Sequence, residues 1–166
     1  MQIPSSQFIF KKLTATDFQL YALLAMNKDV MKYISGDALT LDEAELRFQK
    51  ALNINANSDD AGFLIVKNRI NDEFIGVAKL VPLSDNQFEV GYMLLPEYWE
   101  KGYATAMVEF LISLAREKHI GELIGIVDPE NPASIRVLSK LGFHLYETGE
   151  IDGLAATYYK LNLTNI

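Results

Sequence analysis

Hydrophobic positions along the chain change their period several times, and each change marks an element. Residues 7–13 alternate closely enough to predict a first strand. Thr14-Ala15-Thr16-Asp17 has the spacing of a capping box, with Asp17 where glutamate is usual. Phe18, Tyr21, Leu24 and Ala25 then recur at helical spacing and predict a helix over 15–26. Residues 29–34 read as a second, short helical turn ending at Ser35-Gly36. Thr40 and Glu43 form a full capping box, and Ala44, Phe48, Ala51 and Leu52 give the helix behind it an apolar face. The polar run 53–60 predicts a loop.

A strand meander follows. Residues 62–67 and 74–83 are apolar and β-branched, and Asn71-Asp72 marks the hairpin between them. Ser84-Asp85-Asn86 turns the chain into a third strand that runs to Leu95. Pro96 cannot continue a central ladder because it lacks an N–H. A long helix starts at about Gly102. Residues 123–127 read as a short strand of the fully buried type, and Asn131 caps a helix that ends at Gly142. Residues 143–148 and 156–163 predict two last strands around a turn over 149–153. A helical crossover joins the third strand to 123–127, which makes those two parallel neighbours. The fold class is therefore α+β: a single domain over residues 1–166, with a mixed, mostly antiparallel sheet flanked by helices on both faces.

Composition narrows the functions available. The chain has 166 residues, of which 49% are hydrophobic, and a net charge of −7. That balance argues against nucleic acid and favours a cationic partner such as an amine. The lack of cysteine excludes disulfides, thiolate metal sites and a cysteine nucleophile together, and no metal site is expected. No apolar run approaches 20 residues, and residues 1–12 lack the layout of a signal peptide, so the expectation is a cytoplasmic protein with no membrane partner, monomer or homodimer.

The stretch 89–115 carries the first chemical hint. A strand leads through a short loop to Gly102 and then a helix. A glycine just before a helix lets several N–H groups point into one concavity at the positive end of the helix dipole, a place for an anion such as phosphate. An ordinary strand-to-helix turn has the same pattern.

Two segments together resemble the GNAT acetyltransferase superfamily. Tyr98-Trp99-Glu100-Lys101-Gly102-Tyr103-Ala104-Thr105 is similar to its acetyl-CoA pyrophosphate loop, with Gly102 and Ala104 matching and Trp99 leading. Asn131-Pro132-Ala133-Ser134 through Gly142-Phe143 is similar to a helix of the branch that acetylates ribosomal-protein N-termini. Two positions depart from the pattern. Glu100 stands where that branch usually has glycine, and Ala106 replaces a commonly acidic residue, a change expected to touch packing more than chemistry.

The resemblance implies the GNAT fold, acetyl-CoA as co-substrate and an amine acceptor, either a protein N-terminus or a small molecule. It implies that backbone groups of Met93, Leu94 and Leu95 hold the thioester arm and that Lys101, Gly102, Tyr103, Ala104 and Thr105 hold the pyrophosphate. Asn131 is a helix cap or a ligand to the pantetheine amide. Ser134 is the candidate acid for the leaving thiolate, because the tyrosine that many members use falls at Leu138. Glu89 is the candidate base, with Glu147 and Glu150 as alternatives. A lysine-like amine must lose a proton at a cost of about 4.6 kcal/mol at pH 7, an α-amine only about 1 kcal/mol. With no unmistakable base, a low-pKa amine is favoured. The alternative is an acyl-CoA-binding or sensor protein without turnover.

Overall fold

The computed structural model describes residues 3–58 and 61–164. Strand β1 (Phe8–Lys12) is followed by a 3-10 turn over Ala15–Asp17 and helices α1 (Phe18–Ala25), α2 (Lys28–Met31) and α3 (Leu41–Ala56). Strands β2 (Gly62–Asn68), β3 (Phe74–Ser84) and β4 (Gln87–Leu94) form the meander. Helix α4 (Tyr103–Glu117), strand β5 (Glu122–Val127), helix α5 (Pro132–Lys140) and the hairpin β6 (His144–Ile151) and β7 (Leu154–Asn162) complete the chain. One seven-stranded sheet runs β1-β2-β3-β4-β5-β7-β6, and β4 and β5 are its parallel pair.

Helices cover both faces, as the element order implies. One apolar cluster joins Phe8, Leu64, Leu80, Val90 and Leu94 to Met107, Leu111 and Leu138 of α4 and α5. The other joins Ile65 and Val77 to Tyr21, Leu24, Met31 and Phe48 of α1–α3. Alternate residues of β2 and β3 enter opposite clusters, the period-two signature of a strand buried on both sides.

Three boundaries move from their sequence-based positions. The segment 15–26 divides, because the Thr14–Asp17 capping box closes a tight 3-10 turn before α1 begins. Helix α3 extends through Ala56 into the run read as loop. Asn55 holds it there: its Nδ2 donates to the Leu13 and Phe63 carbonyls at 3.2 and 3.0 Å, and its Oδ1 accepts from Phe63 N–H at 2.7 Å. A polar side chain that looks like a loop former is thus the tie between the helix end and the sheet; positions 59 and 60 of the expected loop lie outside the described residues. The last hairpin is longer than expected. Gly149 pairs with Ala156 inside the ladder, and the turn is the two residues Asp152-Gly153, both left-handed at φ 51° and 81°, the geometry that matches strand twist.

The end of α5 follows the sequence closely. Phe143 N–H donates to Leu138 O at 3.0 Å and Gly142 N–H to Ser139 O at 3.2 Å, with Gly142 at φ 94°. This is a Schellman termination, which requires the left-handed residue that glycine supplies.

Candidate active site

Strands β4 and β5 pair only from Gln87–Glu122 to Val90–Gly125. Asn86 pins them together at that end: its Oδ1 accepts from Gly121 N–H at 2.8 Å and its carbonyl from Glu122 N–H at 3.0 Å. Beyond Val90 the strands part. β4 continues against β3 alone, and Ile126 and Val127 of β5 pair only with β7. The edge of Gly91–Leu94 that faces β5 is left without a strand. Helix α5 seats at this fork because Gly125 has no side chain: a Cβ there would lie 2.6 Å from the buried Leu138.

Of the backbone expected to hold the thioester arm, part is already engaged. Leu95 N–H donates to Ile75 O at 3.0 Å, so it faces β3 rather than the split. The Leu94 carbonyl accepts from the Trp99 indole at 3.1 Å and keeps a second lone pair. The Met93 carbonyl occupies the space that a side chain on Gly76 would need. The side chains of Met93 and Leu95 pack against the α1–α3 cluster, and that of Leu94 is buried on the other face.

The loop after β4 ends at Gly102, with φ 84° and ψ 0°, and no side chain caps α4. The first backbone bond of the helix runs from Ala106 N–H to Gly102 O at 3.1 Å. The N–H groups of Tyr103, Ala104 and Thr105 therefore lack an intrahelical acceptor and point forward together at the positive end of a 15-residue helix. That is a donor set for a diphosphate. The Tyr103 ring packs on Phe8 and Tyr98, and Thr105 and Ala106 are buried in the first turn, so their side chains anchor the helix. The Lys101 ammonium bonds to Glu97 O at 2.7 Å. Glu100 is exposed and left-handed at φ 58°, a conformation that glycine adopts without the strain a side chain brings.

Asn131 and Ser134 meet at the first turn of α5. Ser134 N–H donates to Asn131 Oδ1 at 3.3 Å, and Asn131 Nδ2 donates to Ser134 Oγ at 3.1 Å. Across the split, Tyr92 of β4 places its Oη 2.9 Å from Ser134 Oγ. Burial pushes the Tyr92 phenol above its ordinary value, and the Ser134 hydrogen bond opposes that shift. Sequence reasoning missed Tyr92. Period two puts it on the α4–α5 face, but only the divergence of β4 and β5 brings a hydroxyl on one wall to a hydroxyl on the other.

Glu89 lies on the opposite face, at the closed part of the fork, where it pairs with Ile124 of β5. Its carboxylate holds the Lys79 ammonium at 2.6 Å, and the Lys79 stem lies across Gly91 to reach it. Glu147 and Glu150 are exposed along β6, the terminal strand of the sheet. Among the described residues no group of three or more His, Cys, Asp or Glu is placed to hold a metal ion, and no helix is long and apolar enough to cross a membrane.

Known proteins resemble this chain in sequence and in fold. The Bacillus subtilis protein YkkB is 32% identical over 136 residues, 78% of this chain and 76% of its own length. An acetyltransferase of the GNAT family from Bacillus anthracis superposes with a TM-score of 0.80 at 21% identity, covering 98% of each chain. Spermidine N-acetyltransferase from Vibrio cholerae, solved with CoA and spermine, superposes at 0.77 and 18% identity, covering 95% of this chain and 96% of that one. At such identities these structures show the fold. The model of the acetyltransferase (GNAT) domain matches residues 7–144, and the chain belongs to that family.

Proposed function

We propose that this protein transfers the acetyl group of acetyl-CoA directly to an amine, with the co-substrate lying in the split between β4 and β5. The observation that carries this reading is the coincidence of three features at one fork. They are a strand edge without a partner strand, an uncapped helix N-terminus behind a left-handed glycine, and a serine hydroxyl at the mouth.

Each feature suits one part of the co-substrate. The N–H groups of Gly102, Tyr103, Ala104 and Thr105 take the diphosphate, with Lys101 at the rim. The open edge of β4 around Leu94 takes the pantetheine amides as an added strand would, while the Met93 backbone stays turned toward β3. Asn131, already a cap to α5, offers a side-chain amide beside the same path. Ser134 gives its proton to the departing sulfur.

The acceptor side fits an amine that arrives neutral. Glu89 would have to leave the Lys79 ammonium to take a proton, so in this reading it shapes the floor and the amine loses its proton to solvent. That route suits α-amino groups better than lysine-like amines.

Two measurements test the proposal. Calorimetry should show acetyl-CoA binding at micromolar concentrations, and thiol release should follow with some member of a panel of peptide α-amines, amino acids, polyamines and amino sugars. No binding at millimolar co-substrate overturns the reading. Binding without thiol release across the panel selects a sensor instead.

A further inference from the structure

We propose that Tyr92 is a positioning residue that supplies a proton through Ser134, so that two hydroxyls on opposite walls of the split act as one relay; this rests on the acetyl-transfer reading above. Ser134 Oγ lies 2.9 Å from Tyr92 Oη, and either oxygen is able to donate. Asn131 Nδ2 already donates to Ser134 Oγ at 3.1 Å. A hydroxyl oxygen accepts two hydrogen bonds and gives one. With Asn131 and Tyr92 both donating, the Ser134 O–H is released toward a third atom, and its oxygen is held by two donors. Such an oxygen tolerates the charge that develops as its proton leaves. A serine that merely caps a helix has no second donor behind it.

The proton count closes. The C–S bond breaks and its electron pair stays on sulfur, which takes the Ser134 hydroxyl proton. The Ser134 oxygen takes the phenolic proton of Tyr92. Tyr92 regains one from solvent, and solvent receives the proton that the amine nitrogen, neutral on arrival, gives up once its bond to the acetyl carbon has formed. Burial keeps the Tyr92 phenol protonated through the neutral range, and the same Ser134 hydroxyl, turned round, steadies the phenolate in the interval.

Tyr92 also packs its ring against the core on the α4–α5 face, so the test must separate oxygen from ring. Tyr92→Phe keeps the ring and removes only the hydroxyl. Thiol-release kinetics are measured for the parent, Tyr92→Phe, Ser134→Ala and the double variant. The expected result is a kcat loss of about tenfold for Tyr92→Phe, with calorimetric acetyl-CoA affinity within about twofold, and no further loss when it is added to Ser134→Ala. A readout without turnover accompanies it. In the ligand-free protein with 3-fluorotyrosine at position 92, the fluorine titration midpoint should rise on Ser134→Ala.

Four results overturn the relay alone in an active enzyme: parental kcat in Tyr92→Phe, an equal loss in both Ser134 backgrounds, a loss of affinity that matches the loss of rate, or an unmoved fluorine midpoint. A parent that binds acetyl-CoA but releases no thiol overturns the relay and the transfer reading together.

Discussion

The two faces of β4 carry opposite solutions to the same problem. Glu89 and Tyr92 stand three residues apart and therefore on opposite sides of the sheet. Glu89 sits where β4 and β5 are still paired, and its charge is matched within the sheet by Lys79, whose ammonium also lies 5.9 Å from the Phe63 ring centroid. Tyr92 sits where the strands have parted, and its hydroxyl pairs with Ser134 of α5. Paired strands supply neighbours that neutralise a polar side chain. A fork leaves such a side chain facing a groove that a ligand can enter. The closed end thus stores charge as structure, while the open end leaves hydroxyl donors facing the split.

The sharpest way to break this contrast is to remove the donor at the open end. Ser134→Ala should lower kcat about 100-fold while leaving acetyl-CoA affinity within about threefold, read by thiol release and calorimetry; parental turnover would strip the open end of its chemical role. The loop before α4 also carries the exposed carboxylate of Glu100. Glu100→Gly should tighten acetyl-CoA about fourfold, the size of one like-charge repulsion at ~5 Å in a water-like dielectric. Thermal stability should hardly move, because relief of the left-handed strain is offset by glycine's greater freedom when unfolded.

At the closed end the expected effects are smaller. Glu89→Gln should change kcat/KM less than about threefold between pH 6 and 9, whereas a true general base would lose ~100-fold or more; the larger loss would erase the distinction between the two faces. The last test concerns alkaline stability. A folded-state pKa raised above the ordinary 10.0 means that Tyr92 contributes stability below that value and loses it as pH climbs through the folded pKa. Denaturant midpoints of Tyr92→Phe and parent should therefore converge as pH rises above ~10, and a constant gap would show that the phenol is not perturbed by burial.

Much of the fork was legible in the sequence. The crossover from 87–95 to 123–127 required a parallel pair, Gly102 marked the helix entry, and Asn131 and Gly142 bracketed α5. These are local rules: a capping residue or a left-handed glycine acts within one turn. What stayed hidden depends on elements distant in sequence. The reach of Lys79 over Gly91 to Glu89, the clasp of Asn55 on Leu13 and Phe63, and the meeting of Tyr92 with Ser134 each join residues on separate elements. Periodicity tells which face a side chain occupies, not where two strands diverge.

The Trp99 clasp on Leu94 has a practical consequence. Trp99 is the sole tryptophan of the chain, 40% exposed, and its indole joins the end of β4 to the loop that leads into α4. Anything that seats on the strand edge or fills the mouth of the helix must alter the polarity around that one fluorophore. The protein thus carries an intrinsic optical gauge on the groove, and a label-free titration of its emission would report occupancy for parent and variants alike.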